Sequence, residues 1–334
     1  MLTDIAQQLE ASPALDMETR ADATREARLL VASVLDIAPG ALTRILDRPV
    51  PHTTRDRILA AATRRARGEP MAYCTGLAAF RHLVLAVDER VLIPRPETEI
   101  VVQEALRLVA SRPGGIAVDI GTGSGAIALS LASEGAFDAV VATDVSTDAL
   151  AVASANVSRL PTGSAPIDFR AGADLAPLAG VVARVIVSNP PYIAFHEAAA
   201  LPASVRDWEP ATALFAADDG MARYDALLAG ASDHLEPDGW LVLEVDMRRA
   251  QLTAQRALAR GFESVRLVCD LSGRERVLLA RNSPRASVFT RATSAATSVT
   301  TAASSAAAHT ATIAASITAP TPASGSEAGY HARR

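Results

Sequence analysis

The residues best equipped for chemistry are Asn189, Pro190, Pro191 and Tyr192, which lie near the end of the segment RVIVSNPPYIAF (184–195). A run of strand-forming residues ends there in a carboxamide, two rings and an aromatic. A residue that precedes proline is driven to extended backbone, so Asn189 finishes its strand pointing at the sheet's carboxyl edge. Pro190 and Pro191 fix φ and carry no N–H. They stiffen the corner and leave carbonyl oxygens free. The Asn189 side-chain oxygen and the Pro190 carbonyl can then accept both hydrogens of a planar NH2 group, with Tyr192 lying over the flat group that bears it. An amide or amino nitrogen is a weak nucleophile because its lone pair is delocalised. Two aligned acceptors hold it and favour the positive charge that develops as it attacks, a contribution of position and electrostatics. The plain alternative is a turn that ends a strand. No acid–base dyad accompanies these residues: His82, His196 and His234 stand apart from one another in the chain.

A second group, VDIGTGSGAIALSLA (118–132), follows one strand and opens a helix. Gly121, Gly123 and Gly125 let the backbone come close to a ligand, and the loop between a strand's carboxyl end and a helix start is where open α/β sheets bind ligands. The spacing is G-x-G-x-G, not the dinucleotide G-x-G-x-x-G; a structural turn is the alternative. Asp144 ends the next strand-like run, AVVATD, where a carboxylate can accept both hydroxyls of a ribose. Its other reading is a helix cap, a task for which Ser146 is already competent. GADL (172–175) closes a third strand, and Asp174 and Leu175 read either as facing an adenine or as ordinary loop residues. A glycine loop with acids after strands two and three describes a pocket for a nucleoside without a pyrophosphate. S-adenosylmethionine fits it, because a positive sulfonium needs no phosphate cradle.

These groups meet only if a parallel sheet brings them together. From about 95 to 282, strand-like and helix-like runs alternate, the strands being IAVDIG, AVVATD, IDFRAG, ARVIVSN, WLVLEV, SVRLVCD and ERVLLAR. Alternation implies crossovers and a mostly parallel sheet. Only LSGR separates the last two strands, too little for a parallel crossover, so the last strand is expected to run antiparallel. Residues 1–75 read as a small helical bundle. ETRADATREARLLVASVLD places Ala21, Ala27, Leu30, Val34 and Leu35 near one face. TTRDRILAAATRRARG starts on a threonine cap and stops at Gly68. The arginines at 55, 57, 64, 65 and 67 form either a docking patch or a solvated face. Residues 76–94 alternate as a β-hairpin linker. Residues 283–334 are Ala/Ser/Thr-rich, with too little large apolar surface to offset the entropy of ordering, and are expected to be disordered.

The 334 residues are 49% apolar, enough for a substantial core. A net charge of -5 supplies no global basic field for a nucleic acid backbone. Lysine is absent, and with the alanine excess this reads as genome composition. Cys74 and Cys269 lie far apart in no metal-like spacing, which fits a reducing cytosol and no disulfide framework; each is expected to be buried. No His/Cys/carboxylate set has ligand spacing, so no metal is implied. MLTDIAQQLE has no basic region followed by an apolar core, so no signal peptide is expected. No apolar run approaches the roughly 20 residues of a membrane span. A cytoplasmic location follows as the expectation.

With NPPY after the fourth strand and DIGTGSG after the first, the chain resembles the class I S-adenosylmethionine-dependent N-methyltransferases. GEPMAYCTGLAAF, VLIPRPETEIVV, VRDWEPATALFAADDGMARYDALL and DLSGRERVLLAR narrow the resemblance to the peptide chain release factor N(5)-glutamine methyltransferases, over about residues 1–282. The resemblance implies a class I, Rossmann-like α/β fold: a mostly parallel seven-stranded sheet with an antiparallel last strand, behind the helical bundle and hairpin. It implies that residues 1–75 help recognise a class 1 release factor, and that the glutamine of that factor's Gly-Gly-Gln motif is methylated. By motif, the loop of Asp119, Gly121, Thr122, Gly123, Ser124 and Gly125 would bind the cofactor and Asp144 its ribose. Asn189, Pro190, Pro191 and Tyr192 would form the catalytic corner, with Asn189 also against the cofactor. IPRPETE would border the site, its glutamates favouring a helix N-terminus and Arg95 anchoring the loop; it serves either as support or as a substrate contact. Two positions depart from the family pattern. Asp246 stands where glycine is usual, a carboxylate that either crowds the site rim or faces solvent, and Cys74 replaces the usual aliphatic residue. The 283–334 tail has no counterpart.

Three other readings compete. A sister family methylates a glutamine of a ribosomal protein, but it departs from the IPRPETE segment. A DNA or RNA exocyclic-amine methyltransferase would present the same planar NH2, yet must extract its base and hold a backbone, which the net charge opposes. A cofactor-binding scaffold without activity is opposed by intact NPPY and GTGSG.

Overall fold

In the computed structural model, which describes residues 1–45 and 48–283, the alternation of the sequence becomes a seven-stranded sheet. Helices α1 (Leu2–Glu10), α2 (Met17–Ala21), α3 (Ala23–Val34), α4 (His52–Arg65) and α5 (Met71–Thr75) come first. A hairpin of β1 (Leu77–Phe80) and β2 (Leu83–Ala86) follows. Helix α6 (Pro96–Val109) leads into β3 (Ile116–Ile120), α7 (Ala126–Glu134), β4 (Ala139–Asp144), α8 (Thr147–Asn156), β5 (Ile167–Ala171) and β6 (Ala183–Ser188). After β6 come the short elements β7 (Ile193–Ala194), α9 (Ala203–Arg206), α10 (Ala211–Leu214) and β8 (Phe215–Ala216). The chain finishes with α11 (Ala222–Gly230), β9 (Leu235–Glu244), α12 (Ala250–Ala259), β10 (Ser264–Cys269) and β11 (Glu275–Arg281).

The strand order is β10-β11-β9-β6-β3-β4-β5. Neighbours pair in parallel except around β11, which runs antiparallel to both β9 and β10. The short turn between β10 and β11 leaves no room for a crossover, as the sequence required. From β3 the chain steps outward through β4 to β5, then returns to lay β6 on the other side of β3. This reversal opens a crevice beyond the carboxyl ends of β3 and β6. Side chains alternate across the sheet: Val185 and Val187 of β6 pack with α6 and α7, and Ile186 packs with α11 and α12. Phe80 and Leu85 of the hairpin join the first layer. A separate core of Ile5, Leu9, Leu30, Val31 and Ile58 holds the N-terminal helices. Tyr73 and Val91 pack against Ala149 and Val152 of α8, and the Tyr73 hydroxyl donates to the Val91 carbonyl at 2.6 Å. The described residues belong to one compact unit, and among them no helix is long and apolar enough to cross a membrane.

Several local expectations need correction. Helix α4 starts after Pro51 with no side-chain cap, so Thr53 and Thr54 lie inside it; proline's fixed φ suits a helix start. Asp22 divides α2 from α3, which moves Ala21 to an exposed position and puts Ala23 in the core. The arginine cluster divides as well: Arg65 is buried against Glu26 at 3.0 Å and Arg64 pairs with Glu69, while Arg55, Arg57 and Arg67 are exposed. Cys74 is buried, but Cys269 is exposed at the end of β10, the edge strand of the sheet, where the register with β11 slips after Val268. The tail lies outside the described residues from 284 onward.

Candidate active site

The crevice holds an open cleft lined by the ends of β3, β4 and β6 and the loops that follow them, a place where open α/β sheets bind ligands. Ile120 and Ser188, the last residues of β3 and β6, lie in register, and the Ser188 hydroxyl donates to the Ile120 carbonyl at 2.7 Å. Gly121 and Gly123 line the cleft with φ of +74° and +53°, and a Cβ at either would meet nothing within 4 Å. A side chain at either position would project into the cleft. Gly125 differs: its Cβ would lie 2.3 Å from Leu129 and 3.2 Å from Ala153, so it seats α7 against α8. Asp119, Thr122 and Ser124 brace the loop from behind and do not line the cleft. Asp119 Oδ2 accepts from the Thr122 hydroxyl at 2.6 Å and from the Ala128 N–H at 3.0 Å. Its Oδ1 is buried with no partner among the described residues, and burial pushes the carboxyl up to about 7.

Asp144 lines the cleft at the end of β4. Its two oxygens accept from the N–H groups of Gly123 and Ser146, each at 2.9 Å. Each keeps a lone pair, and the cap of α8 is Ser146, whose hydroxyl accepts from the Ala149 N–H at 3.1 Å. Asp174 also lines the cleft, in left-handed backbone (φ +50°) and paired with Arg223 at 3.0 Å. Leu175 does not; it packs on the core toward Gly230 of α11. The arginines of the cleft are neutralised locally, Arg90 by Asp88 and Arg223 by Asp174. The site therefore offers a carboxylate and glycine backbone, a set that suits a sulfonium nucleoside better than a pyrophosphate.

Asn189, Pro190 and Pro191 line this cleft and also a second cavity, of about 430 Å³, completed by Tyr192, Arg95, Leu214 and Glu244. The proline corner is thus the wall between two spaces. The Asn189 amide N–H donates to the Thr98 hydroxyl at 3.1 Å, and Thr98 donates to Glu244 at 2.5 Å. The Tyr192 hydroxyl donates to the other Glu244 oxygen at 3.3 Å. Among the described residues no donor reaches the Asn189 side-chain oxygen or the Pro190 carbonyl, so both acceptors the sequence singled out are free. Glu244 is fully buried, which raises its carboxyl above the usual range although Thr98, Arg276 and Tyr192 oppose the rise. Burial likewise raises the Tyr192 phenol, and the neighbouring Glu244 charge adds to it.

Sequence reasoning missed Thr98 and Glu244. Both carried a signal: Glu244 is a charge ending the apolar run WLVLEV, and a buried charge demands partners. Thr98 is the hydroxyl between two glutamates in the first turn of α6. Two side chains of IPRPETE make structural bonds. Arg95 pairs with buried Glu209, which also accepts from the Ile93 N–H at 3.2 Å, and Glu99 accepts from the Arg81 N–H at 3.1 Å. Asp246 lines neither cavity. It accepts from Arg248 at 2.9 Å and from Arg249 at 3.3 Å. Burial alone would raise its carboxyl, but these bonds and guanidinium charges outweigh burial and hold it below the usual range. Of the three histidines weighed as bases, His82 and His196 are exposed, and His234 sits 3.3 Å from the Val181 carbonyl.

Comparison with known proteins places the chain in a family. Residues 6–76 match the model of the PrmC N-terminal domain, and residues 101–206 that of the methyltransferase small domain. A protein of Cereibacter sphaeroides named release factor glutamine methyltransferase is 38% identical over 260 residues, which span 78% of this chain and 91% of that one. The chain belongs to the release factor glutamine methyltransferase family. A Moorella thermoacetica protein of the same name is 38% identical over 76% of this chain and 90% of its own. A Burkholderia pseudomallei relative is 38% identical over 75% and 89%. The two matched regions of this family member bracket the hairpin, and the segment carrying Thr98 lies in the stretch between them.

Proposed function

We infer that this chain transfers a methyl group from S-adenosylmethionine to the side-chain nitrogen, N5, of the glutamine in the Gly-Gly-Gln motif of class 1 peptide chain release factors. The observation that carries this is the shared wall: Asn189 and Pro190 border both the cleft that holds Gly121, Gly123 and Asp144 and a separate small cavity beside Tyr192. Bound in the cleft, the cofactor supplies an electrophilic methyl group on a sulfonium. Gly121 and Gly123 leave room for it, and Asp144 offers lone pairs to a ribose diol. In the second cavity, Asn189 Oδ1 and the Pro190 carbonyl accept the two amide hydrogens, and Tyr192 walls the carboxamide. Gripping both hydrogens keeps the nitrogen lone pair directed and stabilises the charge that grows on it. The amide nitrogen takes the methyl group as the carbon–sulfur bond breaks, which leaves a neutral thioether, and it then loses one proton to solvent, so no side chain has to remove a proton before the bond forms.

The reading assigns residues 1–75 to release-factor recognition, residues 76–94 to the connecting hairpin and residues 95–282 to catalysis. It puts the enzyme in the cytoplasm, with no nucleic acid substrate. The test is methyl transfer from labelled cofactor to a class 1 release factor, a mixture of ribosomal proteins, and DNA, each separately. Label should enter the release factor and disappear when its Gly-Gly-Gln glutamine is replaced. Label in DNA, in a ribosomal protein, or in the glutamine-replaced factor would defeat the reading.

A further inference from the structure

We propose that Thr98 and Glu244 are positioning residues that set which end of the Asn189 carboxamide faces the substrate. The proposal rests on the reading of Asn189 as an acceptor, given above. An asparagine side chain is nearly symmetric in shape, so packing alone does not decide between its oxygen and its NH2. The choice is chemically decisive here. The oxygen facing the second cavity attracts a substrate N–H; the NH2 facing it opposes two donors.

A chain of hydrogen bonds makes the choice. Glu244, at the end of β9, is buried; the Thr98 and Tyr192 hydroxyls at its two oxygens and the nearby Arg276 charge favour its ionised form, which only accepts. Thr98 lies 2.5 Å from one of its oxygens and therefore spends its single hydroxyl proton on Glu244. The Thr98 oxygen has only lone pairs left, and the Asn189 group 3.1 Å away must be the donating end of the amide. The acceptor end then faces the cavity. Tyr192, donating to the second Glu244 oxygen at 3.3 Å, holds the carboxylate in place and ties the aromatic wall to the same anchor. The three positions come from α6, the β6 corner and the end of β9, so the relay exists only in the folded sheet.

Thr98→Val keeps the shape of the side chain and removes the hydroxyl; Thr98→Ser keeps the hydroxyl. The measurements are kcat and KM for methyl transfer to a release factor, together with cofactor Kd by calorimetry. Thr98→Val should lower kcat by about tenfold or more, since it leaves the buried amide donor of Asn189 without its partner. Cofactor Kd should stay within about twofold and Thr98→Ser should recover most of the rate, because the hydroxyl and not the packing is required. In an Asn189→Ala background, adding Thr98→Val should cause no further loss, because the relay acts through Asn189. Equal losses in Thr98→Ser and Thr98→Val, or a full additional loss in the Asn189→Ala background, would overturn the proposal. Loss of turnover in Asn189→Ala with normal turnover in Thr98→Val would overturn the relay alone. Normal turnover in Asn189→Ala would overturn the acceptor reading and the relay with it.

Discussion

The half of the site assigned here to the cofactor and the half assigned to the substrate are built in different ways. The cofactor half is made of backbone: two glycines in positive φ, and N–H groups of Gly123 and Ser146 fastened to Asp144. Its parts lie within one βαβ unit. The substrate half is made of side chains wired over distance. Asn189 meets Thr98 from 91 positions away, and Thr98 meets Glu244 from 146. A backbone-built half reads out from local sequence and fails when a loop atom is displaced. A wired half fails when a single hydroxyl is removed, with the loops unchanged.

Substitutions should separate the halves, and Asn189→Ala should do so most sharply. Turnover should fall by about a hundredfold or more, as when one preorganised charge-stabilising group is removed from other active sites. Cofactor affinity should stay within about tenfold, since one hydrogen bond to a charge-bearing partner is worth roughly 1.5–3 kcal/mol. Steady-state kinetics with calorimetry decides, and unchanged turnover would erase the distinction. The converse is Asp144→Asn, which turns an acceptor facing a backbone N–H into a donor. Cofactor Kd should rise by between about tenfold and a hundredfold, the worth of one charge-assisted bond. Saturating cofactor should restore most of the rate; a kcat defect that persists at saturation would merge the two halves.

Beneath the glycine loop, Asp119 binds its proton more tightly folded than unfolded. The stability this adds is complete below the ordinary aspartate range and is lost as pH rises toward about 7. Asp119→Asn carries no charge at any pH and should flatten the decline between about pH 4 and pH 7. The difference should be at least about 1.4 kcal/mol, what a tenfold tighter proton is worth. Thermal unfolding across that interval checks it, and parallel curves for the two proteins would refute the buried-carboxyl account. The smallest effect is expected at Asp246, which touches neither half. Asp246→Asn should cost about 0.5–1 kcal/mol through its weakened pairs with Arg248 and Arg249 and leave kcat within about twofold. A large rate change there would show that the rim belongs to the site.

Much of this could be read from the chain. The seven strands, the antiparallel β11 and the places of Gly121, Gly123, Asp144 and Asn189 follow from short-range rules: side-chain period, turn length and the geometry imposed by proline. The same rules failed where a neighbour decided. Ala21 lost its buried face to a break at Asp22, Gly125 turned out to serve helix packing, and Leu175 turned toward α11 instead of the cleft. In each case the winning interaction came from another element or another turn.

The amino-acid sequence alone determined the corner, because an asparagine before two prolines sets a carboxamide and an undonated Pro190 carbonyl wherever the strand ends. Only the tertiary structure decided which end of that carboxamide is offered. The proton order from Asn189 through Thr98 to Glu244 requires three segments that meet at the carboxyl edge of the sheet, and no local pattern encodes where a distant hydroxyl will spend its hydrogen.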